Sequence, residues 1–203
     1  MPLLCFLVLL LLIDLEKTRN NLITECIMRK SIVFFDGDGT LWYPKQTKRK
    51  EKPHWIYKQK KSLNDYCEQL TLTPTTLSTL KALKKKEVIL VLLSTHPHDP
   101  DEAQSILQHK VNYFHVENLF NEIHATRNTP TSKGDYITNI LQQRNIAKKK
   151  AIMVGDNYLW DYKPAQDSGI DAILMESDYR KEDPSGKRIR RVIRELKDIL
   201  SYV

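Results

Sequence analysis

The chain has 203 residues, 41% hydrophobic and 28% charged, which suffices for one sizeable core and excludes a disordered or collagen-like class. Its formal net charge of +7 points to an anionic partner, without separating nucleic acid, membrane headgroups and phosphorylated substrates. Its three cysteines, Cys5, Cys26 and Cys67, form no CxxC pair; this argues against a disulfide framework or zinc site and for a reducing, cytoplasmic compartment.

The N-terminus carries "PLLCFLVLLLLI" (Pro2–Ile13), which has the length of a signal-peptide apolar region but is short for spanning a bilayer. No Lys or Arg precedes it and no small-residue cleavage site follows. Met28 opens "MRKSIVFFDGDGT" like a start placed just before a strand. The expectation is that residues 1–27 are a leader or misassigned start outside the fold, with residues 28–203 forming the domain and no stable membrane insertion. The competing reading is a weak membrane anchor through residues 2–13.

Ile32–Phe35 is a short apolar run rich in β-formers, predicting a buried strand. "KQTKRKEKPHWIYKQKK" (Lys45–Lys61) shows no clear period and holds eight Lys or Arg against one Glu. "TPTTLSTLKALKKK" predicts a helix capped by Thr73, with Pro74 in its first turn and Leu77, Leu80 and Leu83 on one face. Val88–Leu93 is a second buried strand, and Asp99–Pro100 starts another helix. A short strand near Glu122–Ala125 and a helix over about 133–144 follow. Ala151–Val154 is a third clear strand, then a short helix near Trp160–Asp167 and a strand at Asp171–Leu174. In the last segment, "GKRIRRVIRELKDIL", Ile189, Val192, Ile193, Leu196, Ile199 and Leu200 predict a helical stripe.

Apolar strands alternating with amphipathic helices mean an α/β fold, a three-layer, doubly wound (Rossmann-like) parallel sheet with a small insertion, about 42–72, after the first strand. In such sheets ligands bind beyond the carboxyl ends of the strands. Three of those ends are polar: Asp36 and Asp38, Ser94 and Thr95, and Asp156. Asp36, Asp38 and Asp156, with Asp161, would repel one another in one crevice unless a cation intervened. Oxygen-only donors favour Mg²⁺, which usually shares its shell with substrate phosphate. Lys133 at a helix start, the Ser94 hydroxyl and backbone N–H groups of Gly37–Thr40 complete an electrostatic clamp for a phosphoryl group.

The order "FFDGDGTLW", "VLLST", helix-initial Lys133 and "VGDNYLWD" resembles the four motifs of the haloacid dehalogenase (HAD) superfamily of phosphotransferases, over roughly residues 31–174. That resemblance implies a phosphatase in which Asp36 is the nucleophile that forms an aspartyl-phosphate. Asp38 would protonate the leaving alcohol, deprotonate the hydrolytic water and bind metal through its backbone carbonyl. Ser94 would hold a phosphoryl oxygen, with Thr95 as the alternative register. Lys133 would link that oxygen to Asp36, Asp156 would ligate Mg²⁺, Asp161 would ligate or orient the metal shell, and Thr40 would brace the phosphate-binding turn. An acid two residues after the nucleophile suits phosphate chemistry rather than dehalogenation.

Simpler readings stand beside these. Asp36 suits a turn cap, Asp161 an N-cap, Ser94 and Thr95 local hydrogen bonding, and Lys133 a solvated helix start. His96 and His98 read as loop histidines beside Pro97 or as substrate contacts, Asn157 as a turn former or a partner of a metal-bound water, and Trp42 and Tyr43 as packing residues or as lining of the substrate entrance.

The insertion is too short for a full cap, which resembles the minimally capped members, nearest the magnesium-dependent phosphatases with "LW" after the first motif. An open crevice admits sugar phosphates, nucleotides, phosphoproteins or nucleic-acid ends. Lys45–Lys61 would steer anionic macromolecules if it borders that crevice, or be a mobile loop without a substrate role. The alternative functions are a binding module for nucleic acid or acidic protein with a vestigial site, and a phosphomutase.

Overall fold

The predicted strands are apolar on both faces, and the computed structural model, which describes residues 29–51, 53–58, 62–127, 131–179, 189 and 191–203, shows what covers each face. The elements run β1 (Ile32–Phe35), β2 (Trp42–Pro44), α1 (Leu63–Glu68), β3 (Leu70–Leu72), α2 (Thr76–Lys85), β4 (Ile89–His96), α3 (Pro100–Tyr113), β5 (Glu122–Arg127), α4 (Lys133–Gln143), β6 (Ala151–Gly155), α5 (Lys163–Asp167), β7 (Asp171–Met175) and β8 (Val192–Ile193). Six strands form one parallel sheet in the order β5-β4-β1-β6-β7-β8. Alternate residues separate the two faces. Val33, Phe35, Leu90, Leu92, Ile152 and Val154 pack with Leu80 and Leu83 of α2 and Ile106, Leu107 and Val111 of α3. Ile32, Phe34, Val91, Leu93, Ala151 and Met153 pack with Ile137, Ile140 and Leu141 of α4 and Ala165 of α5. Each of these side chains larger than alanine contributes about 1.5–3 kcal/mol on burial.

The insertion folds onto this core instead of forming its own. β2 pairs antiparallel with β3, Trp42 opposite Leu72. A 3₁₀ turn, Pro53–Lys58, leads towards α1, whose Ser62 and Asp65 form a capping box. Ile56, Tyr57, Tyr66 and Leu70 join the same cluster as β1 and β4.

Two predicted elements differ from the sequence reading. Helix α2 starts at Thr76, after a left-handed Thr75, and not at a Thr73 cap. Thr73 is instead tied to the insertion, its N–H donating to Leu41 O at 2.9 Å, so it belongs to the incoming chain. The C-terminal helical stripe is also absent among the described residues: Val192 and Ile193 pair with Leu174 and Met175 as strand β8, and Leu196–Ser201 is a 3₁₀ turn. An open sheet edge beside two β-branched residues outweighed their helical spacing. Leu196 and Ile199 still reach the core, because a 3₁₀ turn places i and i+3 on one side.

The expected leader, including residues 2–13, lies outside the described residues. Among the described residues no helix is long and apolar enough to cross a membrane.

Helix α4 opens with a capping box, Ser132 to Asp135, which makes Lys133 its first residue. The next residue, Gly134, presses on α5: a Cβ there would lie 2.2 Å from Pro164 O and 2.3 Å from Ser168 Oγ. Gly→Ala inside a helix usually gains up to about 1 kcal/mol, whereas overpacking costs about 1–3 kcal/mol. Gly134→Ala is therefore expected to lower stability in urea denaturation; a stabilised variant would show that α4 and α5 separate freely.

Candidate active site

The sheet register collects the polar strand ends. Phe35 lies level with Leu92 and Val154, and the Asp36 N–H donates to Val154 O at 2.9 Å. Gly39 adopts a left-handed φ of 87° in the following turn, and a Cβ there would sit 2.4 Å from Asp156 Oδ2. Asp156 follows β6, Asp161 lies within a π-helical turn, Tyr158–Tyr162, and Lys133 enters from α4. A cavity of about 260 Å³ opens among them, with Asp36, Asp38, Thr95, His96, Lys133, Asp156 and Asp161 in its wall and Pro53, Pro97, Asn157 and Trp160 completing it.

Lys133 Nζ donates to Asp36 Oδ1 and to Asp161 Oδ1, each at 2.5 Å. The other Asp161 oxygen accepts from the Asn157 N–H at 3.0 Å. Asp156 Oδ2 accepts from the Tyr179 hydroxyl at 2.5 Å. One carboxylate oxygen from each of Asp36, Asp156 and Asp161 lies within 4.8 Å of the others, all buried.

Asp38 is held separately. Its Oδ1 accepts from Lys110 Nζ at 2.8 Å and from Trp42 Nε1 at 2.5 Å, and its Oδ2 accepts from the Tyr57 hydroxyl. Lys110 is 1% exposed, lies over the Tyr57 ring and also donates to the Tyr57 hydroxyl. Helix α3, the first-motif turn and the insertion thus meet at one carboxylate.

The charges explain the titration. Burial pushes the Asp36 carboxyl up to about 7, with Lys133 opposing and the Asp161 charge adding to the rise. Burial and the charges of Asp36 and Asp161 push Asp156 well above the carboxylate range. Burial also acts upward on Asp38, but the Lys110 and His96 charges and the bonds from Lys110 and Tyr57 hold it below that range. The carboxylates on Lys133 push that lysine's pKa up despite its burial. When fully deprotonated, the four buried carboxylates exceed the two buried lysines by two negative charges. A divalent cation matches that excess, and an all-oxygen donor set fits a hard ion such as Mg²⁺.

The structure brings Asp36, Asp38, Thr95, Lys133, Asp156 and Asp161 to one cavity. Ser94 is buried behind it, its Oγ 3.0 Å from where a Cβ on Gly37 would lie. Thr40 is buried in the turn, its N–H donating to Gly37 O at 3.2 Å. Asp161 is no N-cap; both its oxygens accept hydrogen bonds within the π-helical turn's surroundings. His96 is the last residue of β4, buried against Tyr57, and not a loop histidine. Asn157 Oδ1 shapes the turn by accepting from the Leu159 N–H at 3.0 Å. Trp42 and Tyr43 are buried, as their packing reading expected. Of the basic run, only Pro53 is in the cavity wall among the described residues; Lys48, Arg49 and Lys50 line a separate surface pocket with Asp178 and Arg194.

Sequence reasoning missed Tyr57, Lys110 and Tyr179. Lys110 left a signal: it falls on the apolar stripe Ala103, Ile106, Leu107 and Val111, where a lysine demands a buried partner. Tyr57 and Tyr179 left none.

The family model described as haloacid dehalogenase-like hydrolase matches residues 35–175. No curated protein matches the sequence. Solved structures share the fold. An uncharacterised protein from Listeria monocytogenes serotype 4b is 19% identical, with a TM-score of 0.65 over 84% of this chain and 95% of its own. A haloacid dehalogenase-like family hydrolase from Streptococcus pneumoniae is 18% identical, with a TM-score of 0.61 over 85% of this chain and 98% of its own. A predicted phosphoglycolate phosphatase from Haemophilus somnus 129PT is 15% identical, with a TM-score of 0.63 over 85% and 97%.

Raised carboxyl pKa values at Asp36 and Asp156 mean that the metal-free folded chain retains protons which the unfolded chain releases near pH 4. Their contribution to stability is greatest below about pH 4 and falls as pH rises towards about 7. Added Mg²⁺ is expected to raise the melting temperature more near pH 7.5 than near pH 5, because it requires the deprotonated carboxylates; equal gains at both would contradict the site. Lys110→Met strands the Asp38 charge and is expected to cost about 3–5 kcal/mol. Combining it with Asp38→Asn should recover part of that loss in a denaturant double-mutant cycle.

Proposed function

The chain belongs to the haloacid dehalogenase-like hydrolases, and from that premise we propose that it is a Mg²⁺-dependent phosphomonoester hydrolase working through a phosphoryl-aspartate at Asp36. The observation that carries this reading is Asp36 itself: a buried carboxylate on a cavity wall, with one oxygen held 2.5 Å from Lys133 and two further carboxylates alongside. One structural neighbour bears the name of a predicted phosphoglycolate phosphatase, which agrees with phosphate chemistry on this fold.

Asp36 Oδ1 is engaged by Lys133, so Oδ2 is the oxygen turned to nucleophilic attack. The bond from this oxygen to phosphorus forms as the ester P–O bond breaks, and the departing oxygen takes a proton from Asp38. Water then attacks phosphorus, Asp38 accepts its proton, and the P–O bond to Asp36 breaks to release phosphate and restore the carboxylate. A dianionic phosphoryl group beside Asp38 raises that residue's affinity for a proton, counteracting Lys110. Lys133 neutralises a phosphoryl oxygen while keeping Asp36 aimed. Ser94, packed on the Gly37 turn, and Thr95, on the wall, are the two hydroxyls placed to donate to the remaining oxygens.

In this reading Asp36, Asp156 and the Asp38 carbonyl hold Mg²⁺, with Asp161 orienting its shell. When bound, the ion supplies the positive charge that lets a phosphate dianion approach these carboxylates. Ile56, Tyr57, Tyr66 and Leu70 of the insertion pack onto the core, and among its described residues Pro53 alone reaches the cavity wall, which leaves room for the leaving group.

Purified protein with Mg²⁺ is expected to release phosphate from phosphomonoesters, with Asp36→Asn lowering kcat by on the order of a thousandfold or more and chelator abolishing turnover. Lys133→Met should lower kcat by about a hundredfold. Full activity of Asp36→Asn would end the covalent mechanism.

A further inference from the structure

The cavity wall combines charged side chains with three apolar residues. Trp160 lines it and is 40% exposed, with Pro53 and Pro97 in the same wall. His96, also in the wall, has its ring 4.7 Å from that of Tyr57, whose hydroxyl donates to Asp38. Trp160 is not a side chain left outside by chance of a loose loop. The turn that carries it is braced at both ends, by the Leu159 N–H donating to Asn157 Oδ1 and by Asp161 bonding Lys133 and the Asn157 N–H. An indole carried on a braced turn beside the carboxylates, with 40% of its surface unburied, is an informative exposure.

We propose that Trp160 is a specificity-determining residue whose indole receives a flat aromatic ring on the leaving group, so that the preferred substrates are small aryl or arylmethyl phosphomonoesters. This rests on the phosphatase reading and adds the substrate class. The phosphoryl end of an ester is drawn inward to Lys133, so its leaving group must point outward, to the wall formed by Trp160, Pro97 and Pro53. Stacking against an indole favours a ring over a polyol chain, because the ring buries flat apolar area and complements the indole's quadrupole. The size agrees: about 260 Å³ holds a phosphoryl group and one ring, below the usual range of roughly 300–1,000 Å³ for drug-sized ligands.

Benzyl phosphate and propyl phosphate test the proposal, since both release an alkoxide and differ chiefly in the ring. In wild-type protein with Mg²⁺, kcat/KM is expected to favour benzyl phosphate. In Trp160→Ala the benzyl-to-propyl ratio of kcat/KM should fall about tenfold, mainly through KM. Benzylphosphonate inhibition should weaken about tenfold more than inhibition by inorganic phosphate. Trp160→Leu, which keeps apolar bulk without the ring, should lose the same selectivity and guards against a folding defect in the alanine variant. If wild type hydrolyses both esters and neither variant changes the ratio, the ring subsite is wrong and the phosphatase reading survives. If wild type hydrolyses neither ester yet binds benzylphosphonate through Trp160, the phosphatase reading fails and the ring subsite survives.

Discussion

Four buried carboxylates crowd the carboxyl edge of one sheet, and only two lysines share their space. Such crowding is unfavourable in isolation, since burial and mutual repulsion both penalise the charged forms. The upward displacement of Asp36 and Asp156 expresses that penalty. The fold tolerates it by dividing the carboxylates into two groups. Asp36 and Asp161 share Lys133, with Asp156 on the Tyr179 hydroxyl alongside, while Asp38 turns away to Lys110, Tyr57 and Trp42.

Parallel-sheet geometry gathers these groups. Strands β1 and β6 run side by side with Phe35 level with Val154, so Asp36 and Asp156 arrive at one edge, where β4 continues alongside to Thr95 and His96. The hydrophobic faces on either side keep the edge rigid. The capping box of Ser132 and Asp135 starts α4 at the residue whose side chain must reach Asp36. A site that depends on fixed charges needs this rigidity, because a carboxylate free to rotate would relax its repulsion instead of holding an aim.

The two sides of Asp38 link chemistry to the insertion. Tyr57 comes from a 3₁₀ turn that packs with Ile56 into the main core, and Lys110 from the buried face of α3. The insertion therefore supplies an inner contact to Asp38 while adding only Pro53 to the cavity wall among the described residues. Lys48, Arg49 and Lys50 line a separate pocket with Asp178 and Arg194 instead. Basic composition in a segment does not say which way its cations point.

The sheet, its six-strand parallel class apart from the final short strand, and the acidic set Asp36, Asp38, Asp156 and Asp161 were legible from the chain alone. The sheet is a local matter, since apolar runs make strands and Asp36 and Asp156 come directly after two of them; Asp38 and Asp161 lie further along and were legible through motif spacing. The start of α2 and the fate of residues 192–201 were not legible, because Leu41 captured Thr73 and β7 offered an open edge to Val192 and Ile193. The partners of Asp38 were likewise decided only in three dimensions. Tyr57 and Lys110 stand 19 and 72 residues from it, and no sequence period measures the distance between side chains that converge from separate elements.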